Sequence, residues 1–335
     1  MRTSIHSDRI ERNRGDAMEI LHIHPDREPL TREKPSCVAL GTFDGVHIGH
    51  QKVIGTAIHR AKEKGMESGV MTFHPHPKEV LGKVSHASYL TSLDEKLHQL
   101  EQLGVDFVML VAFTPAFALL RPQTFIQKYI IDQNIKHVVC GFDFCFGHKG
   151  EGNKDTLIAW SEEKQDFSVD VVSSIDEENE KISSSRIRAI LSEGDISDIP
   201  RLLGRRYTIQ GKVIHGEKRG RQIGFPTANI EPDTRYVLPR LGVYVVYLHY
   251  KGHVYPGVLN LGTRPTFHQD GMPSIEVHVL DKQLELYGEV VSIEWLDFIR
   301  PELKFESVDD LIAQINQDVE VARQKLNDIN RTTGT

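Results

Sequence analysis

Two histidines close the stretch GTFDGVHIGH, His47 and His50, set three residues apart after a turn of glycine and aspartate. Imidazoles can donate hydrogen bonds to phosphate oxygens and steady the charge that builds as pyrophosphate leaves. That chemistry needs a strand end, a tight turn and the free N–H groups at a helix start, where the dipole is positive. CVALGTF before the turn and HQKVIGTAIHRAKEKG after it supply these flanks. A helix starting near Ile48 would put His47 and His50 on one face of its first turn, about 5–6 Å apart at Cβ. Gly41, Gly45 and Gly49 keep side chains out of a polyphosphate's way. Outside such a setting a histidine pair is an ordinary surface feature.

Other stretches offer complementary groups. ISSSRIRAIL presents Ser183, Ser184, Ser185, Arg186 and Arg188 at the start of an amphipathic helix, although serines there also serve as plain caps. FHPHPK and GFDFCFG each follow a strand end, where open α/β sheets bind ligands, and Asp143 lies in the second. No carboxylate or further histidine stands at metal-binding spacing beside His74 and His76.

HGEKRGRQIGFPTANI concentrates Gly216, Gly220 and Gly224 with Lys218, Arg219 and Arg221. Such a loop can wrap phosphates with backbone amides and positive charge, or be a solvated basic turn. It is not the GxxxxGK[ST] pattern. Thr227 and Asn229 then offer two hard oxygens on one side of an extended segment, suited to a Mg²⁺ that keeps most of its waters and bridges nucleotide phosphates. Transfer to a hydroxyl also needs a base or a positioning carboxylate. Glu276, in the otherwise apolar strand SIEVHVLD, is the candidate.

The elements that must hold these groups fall into two rhythms. From Ser36 to about Pro200, apolar strands alternate with amphipathic helices: CVALGTF, SGVMTF, DFVMLVAF, HVVCGF and FSVDVV are the strands. Val53, Ile54, Ala57, Ile58 and Ala61 form one helical stripe that Gly65 stops. Ser92 and Glu95 form a capping box before Leu93, Leu97, Leu100 and Leu103, and PQTFIQKYIID and KDTLIAWSEEK are further helices. This predicts an α/β domain with a parallel sheet covered on both faces. After about Gly204 come short strands rich in Val, Ile and Tyr, with YKGH as a hairpin turn, predicting an antiparallel sheet or small barrel. A final amphipathic helix is capped by Ser307 or Asp309. The expected division is a disordered extension over 1–17, one domain over 18–203 and a second over 204–335, with Met18 as an alternative start.

Bulk properties narrow the class. A chain of 335 residues suggests two domains, and a net charge of −7 disfavours nucleic-acid binding. No apolar run is long enough for a bilayer, and the first residues lack a signal-peptide core. Cys37, Cys140 and Cys145 are odd in number and form no CxxC, which reads as reduced thiols in a cytoplasmic protein.

The HxGH and SSSRIR segments together resemble the nucleotidyltransferase superfamily. GTFDGVHIGH, TFHPHPKEVL and GFDFCFG resemble the N-terminal FMN adenylyltransferase module of bacterial bifunctional riboflavin kinase/FAD synthetases. PTAN resembles the riboflavin kinase signature, and the likeness continues through GVYVV, NLGTRPTF, SIEVHVLD and LYG. The resemblance implies a Rossmann-like sheet followed by a kinase β-barrel with a terminal helix. It implies ATP at Gly41, Phe43, Asp44, Gly45, His47, Gly49 and His50, aided by Ser183, Ser184, Ser185, Arg186 and Arg188. A second nucleotide would lie against Gly216, Gly220, Arg221 and Gly224. Flavin contacts would come from Asp143, Asn260 and Arg264. Riboflavin, FMN and FAD are then the substrates and products, with Mg²⁺ as cofactor. Ser185 stands where the family often has Thr, preserving the hydroxyl, and Tyr89 where many members carry Arg. Rival readings are a kinase with a silent first domain, a flavin-sensing regulator, and a nucleotidyltransferase for another phosphate.

Overall fold

The computed structural model describes residues 18–27, 32–82, 87–178, 180–216, 219–263 and 273–333. The expected extension over 1–17, Lys218 and Arg264 lie outside the described residues, as do the side chains of Arg219 and Arg221. Packing divides the chain into two units: Met1–Ala87 with Leu93–Lys181, and Ser88–Ser92 with Ile182–Thr335.

The first unit is built on six parallel strands: β1 (Glu19–Ile23), β2 (Ser36–Leu40), β3 (Glu67–His74), β4 (Phe107–Ala112), β5 (Ile135–Gly141) and β6 (Ser168–Val172). Their order across the sheet is β1-β4-β3-β2-β5-β6. Helices α1 (Ile48–Lys64), α2 (Leu93–Gln102) and α3 (Lys154–Lys164) belong to the connections between them. The strands are apolar on both faces because each face has its own core. Cys37, Ala39, Val70, Val108 and Val139 join Val53, Ile54, Ala57 and Ala61 of α1. Val38, Leu40, Met71, Met109, Val138 and Cys140 join Phe117, Phe125 and Tyr129 on the other side. Gly65 ends α1 in the left-handed region at φ 63°, as its place in the sequence predicts. PQTFIQKYIID departs from a plain helix: Pro122–Ile126 is α-helical and Gln127–Ile131 is a π-helical turn, which keeps Phe125, Tyr129 and Ile130 buried together.

From β2 the chain builds outward through β3 and β4, then crosses to β5 on the other side of β2. The sequence of connections therefore reverses between β2 and β5, and the crevice at their carboxyl ends is where such sheets take ligands. The loops after Leu40 and after Gly141 flank it.

The second unit contains α4 (Ser184–Glu193) and a closed antiparallel barrel. Its strands are β7 (Thr208–Ile214), β8 (Ala228–Pro232), β9 (Gly242–Tyr250), β10 (His253–Gly262), β11 (Ser274–Val279) and β12 (Val290–Arg300). Closure comes from β12 returning to β7, with Thr208 opposite Glu294 and Lys212 opposite Val290. Lys251 and Gly252 turn the β9–β10 hairpin at φ 48° and 77°, the left-handed pair that a tight hairpin demands. Tyr207, Tyr244 and Trp295 are the largest buried side chains inside, and the Tyr207 hydroxyl donates to the Val237 carbonyl at 2.7 Å.

The terminal helix α5 (Val308–Thr333) is capped by Ser307, whose Oγ accepts from the Asp310 N–H at 3.1 Å. Ala322 and Leu326 pack on Val243, Val245 and Leu296. A paired contact from Arg300 to the buried Asp318, at 2.8 and 2.7 Å, fixes the helix against β12. Residues 88–92 join this unit through Tyr89, whose N–H donates to the Arg235 carbonyl at 2.7 Å and whose carbonyl accepts from the Val237 N–H at 2.9 Å.

Candidate active sites

In the first unit the turn after β2 is built from residues in unusual conformations. Phe43, Gly45 and Val46 have φ of 48°, 87° and 42°. A β-branched residue such as Val46 rarely enters this region, and each non-glycine outlier costs about 1–3 kcal/mol. The turn is held from several sides. Gly41 lacks the Cβ that would sit 2.8 Å from the Phe43 ring. The Gln51 amide donates to the Val46 carbonyl at 2.9 Å. Strain held in place this firmly makes the turn a candidate functional element.

His47 is the cap of α1 rather than a residue of its first turn, a difference from the sequence-based expectation. Its Nδ1 accepts from the His50 N–H at 3.3 Å. In the neutral ring the proton then sits on Nε2, a donor. His50 stacks on His47 with ring centroids 3.6 Å apart and meets the Phe43 ring edge-on. The His50 Nδ1 is buried and has no hydrogen-bond partner among the described residues. A buried ring nitrogen with no described partner, beside a helix start with no acid in its first turn, is suited to an anionic ligand. Burial first, then His47, Lys96 and Lys181, hold the His50 imidazole well below its ordinary pKa. Its sign is therefore fixed: in ligand-free protein His50 stays neutral as pH falls through 6.5. An NMR titration should show its ring signals static from pH 8 to 6; a His50 midpoint near 6.5 would contradict this account.

Asp44, expected to contact the nucleotide, is buried in the same turn. Gly49 is the second residue of α1. His76 caps the short helix Pro77–Val80, accepting from the Lys78 N–H at 3.1 Å, so it has a structural task. Asp143 lies just past β5, exposed and paired with Lys181 at 2.5 Å. Lys181 also lies 4.3 Å from the Phe142 ring. In the second unit Ser183 caps α4, accepting from the Arg186 N–H at 3.2 Å. Arg188 Nη2 donates to the Ser88 carbonyl at 2.8 Å, and Ser184, Ser185 and Arg186 occupy the first turn.

The barrel carries the other constellation on its outer wall. Asn229 of β8 stands directly opposite Glu276 of β11, and Glu276 stands directly opposite Asn260 of β10. Opposed residues share a face with Cβ atoms about 4.5–5.5 Å apart. Ile230, Ile275, Val277, Leu259 and Leu261 alternate with them and are buried inside. Thr227 stands two residues before Asn229, immediately ahead of β8. The cradle around these oxygens is kept open by glycines. A Cβ on Gly216 would lie 2.3 Å from the Asn229 amide, and one on Gly220 would lie 2.3 Å from the Phe225 carbonyl and 3.6 Å from the Thr227 hydroxyl. Gly224, at φ 92°, turns the chain into this segment, and Arg221 lies in the short helix Arg219–Gln222. Two hard oxygens, with glycine backbone rather than side chains packed against them, suit a divalent cation of the magnesium type.

Two supporting residues escaped the sequence reading. His278, two residues beyond Glu276, donates from Nδ1 to the Pro226 carbonyl at 2.9 Å and so buttresses the PTAN turn. Lys96 is buried in the first unit and donates to the Thr42 carbonyl at 3.0 Å. Its signal was present: it sits three residues after Leu93 and four before Leu100, on the stripe that faces the core.

Two family models match the chain, FAD synthetase over residues 30–186 and riboflavin kinase over residues 203–326. The bifunctional riboflavin kinase/FMN adenylyltransferase of Bacillus subtilis strain 168 is 46% identical over 309 residues, covering 91% of this chain and 97% of its own. The chain belongs to this bifunctional family. The Listeria monocytogenes member is 42% identical over 311 residues, covering 91% of this chain and 98% of its own, and that of Haemophilus influenzae 39% over 292, covering 87% and 94%. A crystal structure of a protein from Streptococcus pneumoniae, described as a macrolide-efflux protein, superposes with a TM-score of 0.81 at 35% identity, covering 90% of this chain and 99% of that one. Among the described residues no helix is long and apolar enough to cross a membrane. Membership brings the parallel-sheet unit and the barrel under the two activities that the family joins, in the order the motifs predict.

Proposed function

We propose that the barrel transfers the γ-phosphoryl group of ATP to the 5′-hydroxyl of riboflavin, and that the parallel-sheet unit joins the resulting FMN to AMP from a second ATP. In the first reaction the riboflavin oxygen attacks the γ-phosphorus, the bond to the β,γ-bridging oxygen breaks, and ADP leaves. Glu276 takes or orients the hydroxyl proton. Thr227 Oγ1 and Asn229 Oδ1 would hold Mg²⁺, which when bound spreads the phosphate charge. In the second reaction an FMN phosphate oxygen attacks the α-phosphorus of ATP and pyrophosphate leaves. His47 and His50, with the N–H groups opening α1, steady the charge on the departing group. Gly216, Gly220 and Gly224 serve the kinase nucleotide. Asp143, Asn260 and Arg264 serve the flavin.

The reading rests on one observation: a single chain carries both family domains, FAD synthetase followed by riboflavin kinase. A cytoplasmic setting is supported by Cys145, an exposed free thiol, alongside buried free Cys37 and Cys140. Burial pushes the latter two up to about 12 and about 11, so neither is reactive. Chromatography of riboflavin incubated with ATP and Mg²⁺ tests the whole scheme. FMN should rise first and then give way to FAD. FMN accumulating without FAD would leave a kinase with a silent first domain, and unchanged riboflavin would remove the kinase assignment.

A further inference from the structure

The buried lysine beside the adenylyl site has no part in the scheme above, yet its placement is costly. Lys96 is 4% exposed. A core position on α2 would be filled more cheaply by leucine, as Leu100 fills the next turn. An ammonium has three N–H donors, and the one acceptor it reaches among the described residues is the Thr42 carbonyl at 3.0 Å. The same carbonyl accepts from the Thr72 hydroxyl at 3.0 Å. Two donors from two different elements, α2 and β3, thus pin one peptide group.

That peptide is the first abutment of an arch. Phe43, Gly45 and Val46 follow it with positive φ, the far end is tied by Gln51 to the Val46 carbonyl, and His47 comes next. An arch of such residues persists only while its ends are held. The charge matters as well as the hydrogen bond. Lys96 acts on His50 and on His74 at the end of β3, and in both cases favours the neutral ring. Asp44 is the acidic group facing Lys96, Lys181 adds to the positive field at His50, and Glu79 offsets it at His74. Burial pulls the Lys96 ammonium below the usual lysine range while Asp44 opposes that shift, and the lysine's charge favours the uncharged form of both rings.

We propose that Lys96 is a positioning residue for adenylyl transfer: buried against the Thr42 carbonyl, its ammonium holds the Phe43–Val46 arch and, through it, the His47–His50 pair. This rests on the assignment of FMN adenylylation to the first unit. The full-length Lys96→Met chain tests it, because the barrel supplies an internal control for folding. FMN adenylylation should lose about 100-fold in kcat, the scale of a displaced catalytic group, with a smaller change in KM for ATP and riboflavin phosphorylation unchanged. The NMR titration midpoint of His50 should rise, since a repelling charge is gone. Thr72→Val, which removes the other donor with little change of shape, should lower adenylylation in the same direction by less, and it keeps the test open if Lys96→Met does not fold. Adenylylation within about threefold of wild type in both variants would overturn the proposal. So would a loss shared equally by both activities, or an unmoved His50 midpoint. A wild-type chain that forms no FAD would instead sink the assignment of the domain, while the His50 midpoint would still report on Lys96.

Discussion

A chain carrying His50→Ala should convert riboflavin to FMN at the wild-type rate and stop there. The expected loss in FAD formation from FMN is about 10²–10³-fold, the scale of removing one donor aimed at a developing charge. Three features make His50 the sensitive partner. Its buried Nδ1 has no protein partner among the described residues, so no described group satisfies its hydrogen-bonding capacity. Its backbone N–H satisfies His47 Nδ1, and its ring stacks on His47, so the two act as a unit. The backbone bond survives in alanine, which leaves the helix cap in place and confines the damage to the ring. FMN formation by the same sample, followed by chromatography, reports that the chain is folded. Loss of both activities with the fold intact would mean that the two sites are not separate.

The mirror experiment is Glu276→Gln. It should cut riboflavin phosphorylation by about 10²–10⁴-fold, the range for removing a general base, and leave FAD formation from supplied FMN intact. Glutamine keeps the size of the side chain and an acceptor oxygen, but it cannot take up a proton at neutral pH. Its place between Asn229 and Asn260 in the cross-strand row should be preserved. KM for riboflavin should therefore change little while kcat falls, separating proton handling from binding. A rise in KM at constant kcat would make Glu276 a binding residue and return the search for a base to the outer wall of the barrel.

The placement of both candidate sites was legible in outline because their residues are bound to local geometry. His47 and His50 could be read as a pair because the glycine-rich turn and the stripe Val53, Ile54, Ala57, Ala61 announce where α1 starts. Glu276 was legible because an acid in a strand of alternating apolar residues must face outward. The parts not legible depend on contacts distant in sequence. Nothing local says that Glu19–Ile23 pairs with Phe107–Val111, or that β12 returns to close the barrel on β7. The conformations of Phe43 and Val46 were equally hidden, because both residues prefer ordinary φ and are forced by Gly41, Gln51 and Lys96. The stacking of His47 on His50 follows from His47 standing at the cap, one position earlier than a first-turn placement assumes.

The alternation along β11 also bears on how this enzyme can change. Ile275 and Val277 belong to the barrel's interior, while Glu276 and His278 line its outside. Selection for stability and selection for chemistry thus fall on different residues of one strand, and the interior can be repacked by drift while the outer row keeps its spacing. The same parity acts as a guard. A strand paired one residue out of register would bury Glu276 and expose Ile275 and Val277. Such a chain would lose its solubility and its phosphoryl transfer together, leaving little room for a soluble, misassembled form that consumes ATP unproductively.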